Sequence, residues 1–109
     1  MNSRESLGEF ELLTLLAIIG LGSEAYGTSI KDRIEQKAGR SVSAGALYAT
    51  LERLENKKLV SSSLGESSPE RGGRAKRYFE VTSAGKMAAK KAVHGVKSLI
   101  TGDLLGAGR

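Results

Sequence analysis

Arg71, Arg74, Lys76 and Arg77 place four cations within seven residues, with Gly72 and Gly73 between the first two. Guanidinium and ammonium groups at that density neutralise phosphates, and glycine lets a backbone approach one closely. Counterion release makes such a cluster effective on a polyanion, each neutralised phosphate adding about 0.9 to the salt slope. A hairpin tip kept soluble by charge has the same composition, so the cluster takes its meaning from what precedes it. Upstream, Ser43 is a suitable cap for a helix on which Leu47, Leu51 and Leu54 point inward. Gly45, Ala46, Ala49 and Arg53 then point outward, with Tyr48 and Thr50 on the flanks. Small side chains let a helix backbone approach a groove floor or a phosphate, and Ser43 with the free amides of the helix start can donate to phosphate oxygens. Arg53 can reach a base edge or a phosphate. A plain solvated helix face fits the same residues, and Tyr48 suits packing against the hairpin as well as a phosphate hydrogen bond. The candidate nucleic-acid contacts are therefore Ser43, Ala44, Gly45, Ala46, Tyr48, Ala49, Thr50 and Arg53 on the helix. On the ribbon they are Arg71, Gly73, Arg74, Lys76 and Arg77.

Catalytic chemistry has little to work with. His94 is the single histidine and sits among Ala92, Val93 and Val96 without a nearby carboxylate. Cysteine is absent, Arg71 to Arg74 lack the glycine-lysine pattern of a phosphate-binding loop, and no His, Cys or carboxylate pair has metal-ligand spacing. The expectation is a protein that is not an enzyme and carries no cofactor or metal.

The elements that must position the two basic features follow from periodicity. Apolar residues almost encircle a first helix from Leu7 to Leu21, with Glu9 and Glu11 near its positive end and Gly20 and Gly22 stopping it. A second helix runs from about Tyr26 to Lys37 with Ile30, Ile34 and Ala38 as its buried stripe, and Gly39 ends it. The third spans Ala44 to about Lys57. Val60, Ser62 and Leu64 share one side of a strand from Lys58 to Leu64, and Arg77, Phe79 and Val81 alternate on the next. Gly65 to Gly73 forms the long tip between them. Thr82 or Ser83 caps a fourth helix ending near Gly102, before a frayed tail from Gly106 to Arg109. The predicted fold is mainly α with a small β-hairpin, an α+β winged helix-turn-helix of order α-α-α-β-β-α. Residues 1–83 are expected to form the DNA-binding part, and 84–109 a dimerisation helix and short tail within the same single domain.

Composition agrees with a nucleic-acid partner without specifying one. The 109 residues allow one modest core, and a net charge of +5 favours a polyanion. The longest apolar run, Leu12 to Leu21, is about half of the roughly 20 residues a membrane span needs. Neither a signal peptide nor a membrane helix is read, and the absence of cysteine fits a reducing cytoplasm.

Several segments in combination carry a resemblance: Leu7-Gly8-Glu9-Phe10-Glu11-Leu12-Leu13-Thr14-Leu15-Leu16, Tyr26-Gly27, Ser43 to Tyr48, Leu51-Glu52-Arg53-Leu54-Glu55, Leu59-Val60, Gly73-Arg74, Arg77-Tyr78-Phe79 and Val81 to Gly85. Together they resemble the PadR family of winged-helix transcriptional regulators, named for repressors that respond to phenolic acids. Two positions depart from the family pattern: Lys58 stands where a glycine usually precedes Leu-Val, and Ala75 where a proline often follows Gly-Arg.

The resemblance implies a sequence-specific DNA-binding regulator, a repressor released by a small hydrophobic ligand, reading a pseudo-palindromic operator on double-stranded DNA. The chain looks like the shorter branch of the family, in which the first and last helices of two subunits build a homodimer. Candidate interface residues are Leu7, Phe10 and Leu13 on the first helix and the seam of Ala89, Val93, Val96 and Ile100 on the fourth. Operator half-sites would lie roughly 34 Å apart. A fourth helix folded back on its own domain is the simpler alternative. With no tryptophan and 5% aromatic residues, the chain offers little to stack a flat effector, so the effector differs in type or is absent. Competing functions are an adaptor that binds an acidic protein and a non-specific nucleoid-associated DNA binder.

Overall fold

Gly22 and Gly39 turn the chain after its first two helices because each adopts a left-handed φ, at 61° and 68°, that a side chain would disfavour. The computed structural model describes residues 6–67, 75–100 and 104. Within them the order is α1 (Glu9–Leu21), a short 3₁₀ turn (Gly22–Glu24), α2 (Gly27–Ala38), α3 (Ala44–Asn56), β1 (Val60–Ser67), β2 (Ala75–Val81) and α4 (Ser83–Leu99). This is the expected α-α-α-β-β-α arrangement, with the strands paired antiparallel.

One core serves the four helices α1–α4 and both strands: Leu15 and Ile18 from α1, Ile30 and Ile34 from α2, Leu47, Leu51 and Leu54 from α3, Val60, Phe79 and Val81 from the strands, and Ala89 from α4. Ala38 lies outside it and is exposed, so the buried stripe of α2 stops one turn earlier than its four-residue step suggests. The strand register puts Val60 opposite Val81 and Ser62 opposite Phe79, on the side that meets the helices. Leu64, opposite Arg77, is beyond the helices and remains exposed.

Beside the hairpin, the Phe79 amide donates to the Ala25 carbonyl at 2.8 Å, and Tyr26 pairs with Tyr78 as an isolated bridge. A third, very short segment therefore extends the ribbon from the turn before α2. It has no periodicity to betray it, because a single bridged residue makes no alternation.

At the end of α3 the chain closes a Schellman motif: the Leu59 amide donates to the Leu54 carbonyl at 2.9 Å and the Lys58 amide to that of Glu55 at 3.0 Å. Lys58 occupies the left-handed position, at φ 66°, where the motif favours glycine. Its carbonyl accepts the Thr82 hydroxyl at 2.8 Å, and Thr82 in turn caps α4 by accepting the Gly85 amide at 3.0 Å. The recognition-type helix, the ribbon and α4 are thus joined at one corner. Gly85 lies so close to the Leu59 carbonyl and the Val81 side chain that a Cβ there would collide with both.

Candidate nucleic-acid interface

Ser43 caps α3 as expected, its hydroxyl accepting the Ala46 amide at 3.1 Å. Leu47, Leu51 and Leu54 are buried, which turns Ala44, Gly45, Ala46, Ala49 and Arg53 to the surface. Ala44, Gly45, Ala46 and Ala49 therefore give the exposed start of α3 a small face, with Tyr48 its one bulky exposed side chain and Glu52 exposed next to Arg53. Thr50 is a correction to the expected contacts: it is 1% exposed, and its hydroxyl accepts a hydrogen bond from Arg53 Nη2 at 3.0 Å. Buried beside the core, it holds the Arg53 guanidinium and presents almost no surface of its own.

Tyr48 reaches from α3 across to the head of α2. Its hydroxyl lies over Gly27, where a Cβ would clash with it, while half of the residue remains exposed. One residue earlier, Tyr26 meets Tyr78 edge to face with ring centroids 5.6 Å apart. Lys76 Nζ lies 3.7 Å from the Tyr26 ring centroid, a cation–π contact. The Tyr26-Gly27 step at the head of α2 is therefore the hub that brings the outer face of α3 and the base of the ribbon together.

Arg77 is exposed and donates to Ser62 Oγ at 3.0 Å, and Ser62 donates to Glu55 at 2.7 Å, a chain of contacts running from β2 to α3. The expected contacts Arg71, Gly73 and Arg74 lie outside the described residues. Between Leu64 and Ser67 the pairing slips by a residue opposite Lys76, a bulge just where the ribbon leaves the body.

Sequence periodicity gave no sign of the ionic link beneath this surface. Glu11, 6% exposed on α1, faces Lys57 Nζ at 3.0 Å and Arg53 Nε at 3.5 Å and accepts the Gly8 amide at 3.0 Å. Burial pushes the Glu11 carboxyl up, but the Gly8 amide, Lys57 and Arg53 together outweigh it and hold it below its ordinary value. Glu35 is also held low, chiefly by the Val42 amide, which donates to it at 2.9 Å and so ties the α2–α3 turn to α2.

The expected dimer residues separate into two groups. Leu7, Phe10 and Leu13 are half-buried against the chain's own core, and Ala89, 2% exposed, is covered within it and does not lie on an exposed seam. Val93 and Ile100 are half-exposed and Val96 is 53% exposed. Beside them the helices leave an open groove of about 500 Å³ lined by Leu16, Ile19, Ala89 and Val93, with Lys86, Lys90, His94 and Lys97 also along it. Leu16 and Ile19, at 39% and 43% exposed, are the uncovered apolar residues of α1. On a helix apolar all round, the sequence could not say which side remained bare.

Three helices, a two-stranded ribbon and a capped third helix with a small outer face define a winged helix-turn-helix. The comparisons agree. The profile of the transcriptional regulator PadR-like family matches residues 15–91. A PadR-like transcription factor from Bacteroides fragilis is similar at 29% identity and TM-score 0.70, over 88% of this chain and 85% of that one. A PadR-like transcriptional regulator from Bacillus cereus is 26% identical, with TM-score 0.67, over 88% and 90%. A PadR family regulator from Clostridium difficile, 22% identical with TM-score 0.68 over 84% and 91%, shares the fold. No curated protein matches the chain in sequence. The chain belongs to the PadR-like family of transcriptional regulators. It is accordingly a DNA-binding regulator, and the family's members are not enzymes. Among the described residues no helix is long and apolar enough to cross a membrane.

Proposed function

We propose that the protein is a cytoplasmic, homodimeric repressor whose α3 enters the major groove of a pseudo-palindromic operator while the ribbon grips the adjoining backbone. The observation that carries this reading is the convergence at Tyr26-Gly27, which holds the α3 side chain Tyr48 and the ribbon cation Lys76 on one corner of the molecule. A helix that presents Gly45, Ala46 and Ala49 can approach base edges closely, and cations beside it supply the sequence-independent attraction.

Support for the dimer comes from the bare apolar residues Leu16, Ile19, Val96 and Leu99 on the first and last helices. Burying them against a second copy removes a surface that a monomer would expose to water, and a two-fold pair gives two reading heads. The groove of about 500 Å³ between α1 and α4 supports an effector site there, and without a Phe, Tyr or Trp among its lining residues it suits an aliphatic ligand better than a flat one.

Footprinting on the promoter of the protein's own gene, with light scattering at micromolar concentration, tests the reading. A protected site with two half-sites about one helical turn apart and a dimeric mass are expected. A monomer, or equal affinity for promoter and random duplex, would overturn it.

A further inference from the structure

Arg40 was not among the residues singled out by charge spacing, because it is a lone cation after a helix. The fold gives it company. Gly39 ends α2 in the left-handed region, and the Val42 amide is held by Glu35, so the turn between them directs Arg40 back toward the start of α1. There Arg40 Nη1 lies 3.3 Å from Glu9 Oε1, and the guanidinium carbon is 5.7 Å from the Phe10 ring centroid. Arg40 and Arg53 both line a groove of about 710 Å³ whose other residues include Ser43, Ala46 and Ala49, the small outer face of α3.

We propose that Arg40 is a further DNA-backbone contact, held ready by Phe10 and Glu9, and that it exchanges the Glu9 carboxylate for a phosphate when α3 docks. The inference rests on the reading of α3 as the DNA-facing helix. Three features carry it beyond general basicity. The guanidinium has a planar fork suited to phosphate, and its contact with Phe10 restricts it in advance, so less freedom is lost on binding. Its present partner is weak: the Glu9 side chain is 77% exposed, and an ion pair so open to solvent is readily exchanged. Arg53, by contrast, is tied to buried Glu11 and Thr50, so the two arginines beside α3 are one readily released and one fixed.

The test is a salt titration of binding to a mixed-sequence duplex and to a duplex from the protein's own promoter, using full-length protein. Arg40→Gln should lower the salt slope by about 0.9 per protomer, whereas Lys91→Gln, which removes the same charge from an exposed position on α4, should leave it unchanged. Glu9→Gln should tighten binding about two- to fivefold, the scale of a released surface ion pair. Thermal melts should show Arg40→Gln and Glu9→Gln folded like the parent. Ala49→Glu reports on the underlying reading. If it abolishes binding while Arg40→Gln keeps the parental slope, α3 is the DNA-facing helix and the Arg40 inference falls. If Ala49→Glu binds normally, the α3 reading itself falls. An equal loss of slope in Arg40→Gln and Lys91→Gln, or weaker binding by Glu9→Gln, would also overturn the proposal.

Discussion

The Glu11 carboxylate on α1 accepts two hydrogen bonds from the Lys57 ammonium, at 3.1 and 3.0 Å, across 46 residues of sequence. Glu11 is nearly buried and Lys57 is the C-cap of α3, so the pair fastens the far end of the recognition-type helix to the first helix. A buried carboxylate left without a cation is costly. Lys57→Ala should therefore cost about 1–2 kcal/mol, with Arg53 remaining as a partner, while Glu11→Ala should cost about 2–3 kcal/mol. Urea unfolding checks both.

The same carboxyl sets an acid limb. Because its native value lies below the ordinary one, Glu11 contributes stability that is present above the unfolded-state value and is lost as pH falls through the native one. Glu35 acts in the same direction. Stability should be flat near neutrality and decline below about pH 4–5. In Glu11→Gln the decline should be shallower, and the gap between variant and parent should narrow as pH falls. A gap independent of pH in a melting series would show that Glu11 acts by shape alone.

Lys58 points to a stabilising change. A non-glycine residue at φ 66° carries a steric cost, which glycine relieves at the expense of extra freedom in the unfolded chain. Lys58→Gly should raise stability by about 0.5–1 kcal/mol, seen as a higher urea midpoint with an unchanged slope. Lys58→Ala should give little, since alanine retains the clash.

Two glycines make opposite forecasts for one methyl group. At Gly85 the methyl would strike the backbone carbonyl of Leu59 as well as Val81, so Gly85→Ala should destabilise by about 2–3 kcal/mol. At Gly27 it would meet the end of the half-exposed Tyr48 side chain, which can swing outward. Gly27→Ala should cost under about 1 kcal/mol yet change DNA affinity, because Tyr48 leaves its place on the outer face of α3. Calorimetry and a gel-shift series separate the two effects.

Lys76 should behave as a backbone cation. Lys76→Ala is expected to weaken all duplexes alike and lower the salt slope by about 0.9 per protomer. Tyr26→Leu, which removes the ring beneath the ammonium, should weaken binding less and leave the slope unchanged. A sequence-dependent loss on Lys76→Ala would assign the residue to base readout instead.

The order of elements was legible because each rested on local chemistry. Ser43 and Thr82 are capping hydroxyls, Gly39 supplies a left-handed turn, Leu47, Leu51 and Leu54 recur at helical spacing, and Phe79 and Val81 alternate on a strand. The outer face of α3 followed from the inner one. Thr50 was misplaced because a residue at the edge of a helical stripe is exposed or buried according to its neighbours, and here the core reaches it. Ala89 was misplaced for the same reason: the seam of α4 begins inside the core and only afterwards leaves it.

The sequence by itself thus determined the helices, the ribbon and their order, since caps, turns and periodicity act within a few residues. Only the tertiary structure decided the long-range partners: Glu11 with Lys57, Arg40 with Glu9 and Phe10, Tyr48 over Gly27, and Lys76 over Tyr26. Such pairs depend on where separate elements cross, and helical or strand periodicity carries no record of that crossing.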